Sequence, residues 1–197
     1  VLAACAPLRG VVADVHKVQT AVAPSPPERS RAEGVEAVCT SGSINWILPA
    51  IDGVVLIDAG FDESGAAILQ ALRGRRVLAV LLTHAHPDHR AAAHLFRAPV
   101  YLGKDDLALL QGSFRYRSLL AALGNGIGLP PLPRTVLTID DGEVLSIGGR
   151  TFTAVALPGH TPGSTGWLTD GMFFTGDAIQ APLGCVTEKS IFPLLSS

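Results

Sequence analysis

Residues 83–89 read Thr83-His84-Ala85-His86-Pro87-Asp88-His89, three imidazoles and a carboxylate on one short segment. Such a set is dense in metal-ligand atoms, and its chemistry suits Zn²⁺, with Fe or Mn as alternatives. Strand residues two apart point the same way, so His84 and His86 can share one ion at a strand end. Pro87 biases His86 toward extended backbone and suits the first turn of a following helix. Asp88 and His89 then fall on that turn and point elsewhere. One segment thus offers two sets of ligands. Two further candidates follow strand-like runs: His160 in Leu157-Pro158-Gly159-His160-Thr161-Pro162-Gly163-Ser164, and Asp177 in Phe174-Thr175-Gly176-Asp177. Glycines beside both let backbone approach a ligand closely.

Other polar residues have plainer readings. His94 lies five residues after His89, about 140° around a helix, and points away as an ordinary helix residue. Asp58, at a strand end before Ala59-Gly60, either caps a turn or supports the metal loop. Thr161 and Ser164 read as bonding local backbone. Arg115, Tyr116 and Arg117 read as a solvated helix face. The chain has no G-x-S-x-G elbow, and its thiols have no evident activating partner, so covalent catalysis is not needed.

The elements that must hold these residues follow from patterning. Ile44–Leu48 and Val54–Ile57 read as strands joined at Asp52-Gly53, a hairpin signal. Asp62 is placed to start a helix running to Leu72, with Ala67, Ile68, Ala71 and Leu72 at helical spacing. The continuous apolar run Val77–Leu82 reads as a strand covered on both faces, directly before the histidines. Ala91–Arg97, Lys104–Gln111 and Tyr116–Leu123 read as helices, and Val100–Leu102 as a short strand. Gly124–Pro133 reads as a connector. Thr135–Ile139, Glu143–Ile147, Thr151–Leu157, Ser164–Leu168 and Met172–Phe174 read as strands separated by tight turns. Strand–helix units followed by a meander predict a layered α/β fold.

Composition agrees with one globular domain. The chain has 197 residues, 48% hydrophobic and 16% charged, too apolar for disorder. No apolar run reaches the ~18 residues of a membrane helix. The net charge of −2 gives no electrostatic reason to expect a nucleic-acid partner. Three cysteines cannot build a disulfide scaffold. Val1-Leu2-Ala3-Ala4-Cys5 is similar to a bacterial lipobox, and Pro24–Arg31 is rich in proline and charge. Residues 1–34 are therefore expected to be a lipoprotein signal remnant and flexible tether, with membrane anchoring through a lipidated Cys5. That placement implies the cell envelope or periplasm; without it, the cytoplasm is the expected location. Cys39 and Cys185 read as buried thiols.

Together, THAHPDH, PGHTPGS and FFTGD resemble the motifs of the metallo-β-lactamase superfamily, over about residues 35–180. The resemblance implies an α/β fold, a four-layer αβ/βα sandwich with its metals at one edge of two sheets. It assigns His84, His86 and His160 to a first metal and Asp88 and His89 to a second, with Asp177 bridging them. Two Zn²⁺ sites are implied. The family's second metal usually takes a further His well after the bridging Asp. The histidines here are His16, His84, His86, His89, His94 and His160, and none follows Asp177. The expectation is that 35–197 is a metallo-β-lactamase-fold domain cut within its C-terminal half, or else a divergent member with a weaker second site.

The implied activity is hydrolysis of a small-molecule substrate by a metal-bound hydroxide, oriented by Asp88, which accepts its proton. The GHTPGS and TGDA segments are most similar to glyoxalase II-like hydrolases, so an ester, thioester or lactone is the expected substrate. Three alternatives stand beside this reading. A β-lactamase shares the HxHxDH form in one subclass, although such enzymes generally lack the bridging Asp. A mononuclear iron persulfide dioxygenase shares the motifs. A non-catalytic metal-binding remnant is the fourth reading.

Overall fold

The computed structural model describes residues 31–32, 34–40, 42–112 and 130–179. Strands β1 (Arg31–Ala32), β2 (Val35–Thr40), β3 (Ser43–Ala50), β4 (Gly53–Ile57), β5 (Val77–Leu81), β6 (Val100–Gly103) and β7 (Val136–Ile139) form a seven-stranded sheet in chain order. Pairing is antiparallel from β1 to β4 and parallel from β4 to β7. Strands β8 (Val144–Ile147), β9 (Arg150–Ala156), β10 (Thr165–Thr169) and β11 (Met172–Phe174) form a four-stranded antiparallel sheet in the order β11-β10-β9-β8. Three short α-helices are described: α1 (Ala66–Leu72), α2 (Pro87–Arg90) and α3 (Leu107–Leu110).

The larger sheet is an inner layer. Alternate residues of a strand point to opposite faces. Val54, Leu56, Val80 and Leu82 face a cluster with Ile68, Leu72, Phe96 and Leu110. Their neighbours Val55, Ile57, Ala79 and Leu81 face the second sheet and pack with Phe152, Trp167 and Phe174. Burial on both faces is why β5 reads as an unbroken apolar run. The described residues build three layers of the expected sandwich, helices on sheet on sheet. The fourth, a helical layer outside the smaller sheet, is not among them.

Several elements differ from expectation. β2, which the patterning did not single out, has no clean alternation, because Val35, Glu36, Ala37 and Val38 are all buried. Glu36 is accommodated there by the Arg75 guanidinium at 2.9 Å. The helix expected from Asp62 starts at Ala66. The Asp62 carboxylate instead accepts hydrogen bonds from Ser64 N and Ala66 N, which forms a turn ahead of the helix. The helix expected over Ala91–Arg97 is replaced by α2 and a 3₁₀ turn at Ala93–Leu95. Pro87 opens α2 early. Ala92 N then bonds to Ala59 O instead of continuing the helical ladder. Lys104–Gln111 is likewise split into a 3₁₀ turn, Lys104–Asp106, and α3.

Cys39 is disulfide-bonded, which corrects the expected free thiol. Cys5, His16, the tether, Arg115, Tyr116, Arg117, the helix expected at Tyr116–Leu123 and Cys185 lie outside the described residues. No described helix is long and apolar enough to cross a membrane.

Candidate metal centre

Four strand ends converge at one edge of the two sheets. Asp58 follows β4, His84 follows β5, His160 follows β9 and Asp177 follows β11. The sheets are tied at this edge. Trp167 Nε1 donates to Leu82 O at 3.0 Å, and Thr165 N donates to Thr83 O at 2.8 Å. The loop after β5 is thereby anchored from the opposite sheet. His86 is extended, with φ −66° and ψ 149°, and its carbonyl accepts from His89 N at 3.1 Å. This turn separates the His84–His86 pair from Asp88 and His89, as the Pro87 argument requires.

The side chains form two overlapping clusters. Ligand atoms of His84, His86 and His160 lie within 4.8 Å of one another, as do those of His84, His89 and Asp177. His86 Nδ1 and His160 Nε2 approach to 2.9 Å. Asp177 spans the clusters, with Oδ1 3.3 Å from His89 Nε2 and Oδ2 3.5 Å from His160 Nε2. Asp88 stands at the periphery, its Oδ2 3.7 Å from His89 Nε2, and belongs to neither close cluster. His94 is elsewhere, with Nδ1 2.8 Å from Ala91 O.

A buried hydrogen-bond shell holds the candidate ligands. Asp58, 1% exposed, accepts from Thr83 N at 2.8 Å and from Thr83 Oγ1 at 2.8 Å, and lies 2.8 Å from His89 Nδ1. That contact turns His89 Nε2 toward Asp177. Asp58 adopts φ +61°, a left-handed conformation costly for a residue with a side chain. Ser43 Oγ donates to Asp88 O at 2.5 Å and fixes the α2 turn from β3.

Sequence reasoning missed Asp106. Its place just before Leu107 looks like an ordinary helix cap, yet its side chain does not cap α3. Its carboxylate accepts from Ala85 N, Thr161 Oγ1 and Gly163 N instead. Thr161 and Ser164 were expected to bond local backbone. Ser164 does so, its hydroxyl accepting from Thr161 N at 3.0 Å, while the Thr161 hydroxyl meets that of Ser164 at 2.8 Å and reaches Asp106 instead.

Electrostatics divides the imidazoles. Burial, with the neighbouring His89 and His86, pushes His84 down to about 2. Burial and His160 push His86 down to about 4. Burial opposes charge on His89, but the Asp58 carboxylate, followed by Asp177, outweighs it and raises the pKa to about 10. Burial would raise Asp177, but His89 outweighs it and the carboxyl falls to about 2. Burial raises the Asp88 carboxyl, partly offset by His89.

His84 Nε2 and His89 Nε2 are buried and make no hydrogen bond. Buried polar atoms without partners are costly. Two such nitrogens among further imidazoles and a carboxylate fit a divalent d-block cation, which these donors would ligate.

The chain belongs to the metallo-β-lactamase superfamily, whose family model matches residues 41–188. It is 36% identical over 152 residues to the uncharacterized protein YobT of Bacillus subtilis, covering 70% of this chain and 62% of that one. It is 31% identical over 141 residues to a hydroxyacylglutathione hydrolase of Vibrio campbellii, covering 71% of this chain and 48% of that enzyme. Among solved structures, a Cronobacter sakazakii metallo-β-lactamase with a HARLDQ motif superposes with a TM-score of 0.63 at 28% identity, covering 88% of this chain and 63% of that one. The chain therefore spans only about half to under two thirds of these relatives.

Proposed function

We propose that this chain is the metal-binding portion of a hydrolase that cleaves a small-molecule ester, thioester or lactone. The observation that carries the proposal is the pair of clusters sharing His84 and spanned by Asp177, with two buried imidazole nitrogens that make no hydrogen bond. His84, His86 and His160 would hold one ion. His89, Asp177 and His84 or Asp88 would contribute to a second. A bound Zn²⁺ supplies a water acidic near neutrality and a Lewis acid for the substrate carbonyl.

The remaining work falls to side chains. Buried His84 and His89 form a floor from which water is excluded. His160 and Asp177, with side chains 29% and 27% exposed, form the open side where a substrate can enter. Asp88, 30% exposed, orients the attacking water and takes its proton on a carboxylate oxygen. As the acyl carbon–oxygen or carbon–sulfur bond breaks, that proton passes to the leaving alcohol or thiol. Similarity to a hydroxyacylglutathione hydrolase supports a thioester within this range.

The test is turnover by zinc-loaded protein of a 2-hydroxyacyl glutathione thioester, an aryl ester and a lactone. Hydrolysis of at least one is expected. Asp88→Asn should lower kcat by about 10²–10⁴-fold while the ion held by His84, His86 and His160 is retained. Fully zinc-loaded protein that hydrolyses none of them sinks the proposal. A β-lactamase is the second reading, favoured by the superposition on the Cronobacter sakazakii structure. Efficient nitrocefin hydrolysis, exceeding that of all three acyl substrates, would replace the first reading with it.

A further inference from the structure

We infer that Asp106 is the positioning residue that sets the distance between the two loops carrying the three-histidine cluster. The inference rests on the reading of His84, His86 and His160 as metal ligands. Asp106 is fully buried, and its carboxylate faces both loops. Oδ2 accepts from Ala85 N at 2.9 Å, the residue between His84 and His86. The same oxygen accepts from Thr161 Oγ1 at 2.8 Å, the residue after His160. Oδ1 accepts from Gly163 N at 2.8 Å, further along that loop. One rigid carboxylate therefore clamps loops that arise from different sheets, more than seventy residues apart in sequence.

Packing supports the clamp independently. A Cβ on Gly163 would overlap the Asp106 backbone nitrogen, and one on Gly103 would overlap the Gly163 carbonyl. The Gly163 loop is thus seated directly on the backbone that carries Asp106. Asp177 also reaches both loops, through His89 and His160, but it touches the candidate ligands themselves, whereas Asp106 holds the backbone and hydroxyl groups beside them. Asp58 serves the other part of the centre, bonding to Thr83 and contacting His89. The two buried aspartates divide the work. Asp58 aims His89, and Asp106 sets the gap that His84 and His86 share with His160.

The chemistry needs three acceptor directions. An asparagine has one carbonyl oxygen, and its amide presents N–H to a backbone or hydroxyl donor. Asp106→Asn must therefore lose at least one arm of the clamp. Thr161→Val removes only the hydroxyl arm, and Thr161→Ser keeps it.

The experiment is Zn²⁺ competition titration of the metal-free full chain against a chromophoric chelator. It is paired with the visible spectrum of the Co²⁺ form and a thermal melt of the metal-free protein. Asp106→Asn is expected to weaken zinc binding by about 10–100-fold and to alter the Co²⁺ band. Thr161→Val should weaken binding while the metal-free melt moves little, and Thr161→Ser should restore it. A purely structural role would move the metal-free melt and leave affinity and spectrum as in wild type, and that result overturns the inference. If Asp106→Asn does not fold, the Thr161 pair decides. Wild-type chain that takes up no zinc overturns the ligand reading and this inference with it. Wild type that binds, with all variants binding equally well, overturns the inference alone.

Discussion

His84 is the residue both clusters share, so its loss should act differently from that of its neighbours. His84→Ala is expected to strip zinc from the whole centre, His160→Ala to weaken only the first cluster, and His94→Ala to leave zinc content at the wild-type value. Metal analysis after desalting separates these outcomes. Imidazole binds metal only when neutral, so zinc affinity should fall as pH is lowered and protons compete for the ligands. The His89 site should be the more sensitive, because Asp58 and Asp177 favour its protonated form in the metal-free protein. Titration at pH 8 and pH 6 measures this, with the lower pH giving the weaker affinity. At this scale the spacing in Thr83–His89 was enough to single out side chains that the structure brings together in the two clusters. Asp106 was not legible. It falls inside the helix expected over Lys104–Gln111, where an aspartate reads as an exposed polar position, and only the break before α3 turns it across to another loop.

Among the elements, β5 and the loop after it depend on the second sheet. Trp167 is fully buried, and its indole holds the Leu82 carbonyl just before the ligand loop. Trp167→Phe should destabilise the fold by about 1–3 kcal/mol, since it leaves that carbonyl unpaired and a gap behind it. Urea unfolding of the metal-free protein reads this cost. The turn before α1 gives a pH-dependent case. Hydrogen bonds from the Ser64 hydroxyl and then its amide hold the Asp62 carboxyl below its usual value. A depressed carboxyl stabilises the fold above its unfolded pKa and loses that contribution as pH falls through the folded value. Asp62→Ala should therefore lower stability modestly at neutral pH, and the difference from wild type should shrink as pH falls through the folded-state value. Strands with one buried face or an unbroken apolar run were readable. β2 was not, because a sequence does not show that Arg75 will neutralise a buried Glu36. The end of α2 was not, because its next donor is taken by Ala59, remote in sequence.

For the whole molecule, metal and fold should be thermodynamically linked. Ligands from both sheets surround one point, so an ion bound there ties the sandwich together. Free Zn²⁺ at about 100 times Kd should add about 2.7 kcal/mol, raising Tm by about 5–10 °C, and a chelator should reverse it. A melt that does not respond to zinc would contradict the shared centre. The sequence by itself determined the layered α/β plan, most of its strands and the segments that supply the candidate metal ligands, because these depend on local periodicity and short spacings. Tertiary structure alone decided which ligands share a cluster, that Asp177 reaches both His89 and His160, and that Asp58 and Asp106 hold the ligand loops from behind. Those relations join residues tens of positions apart, and only the packing of two sheets edge to edge brings their atoms within bonding distance.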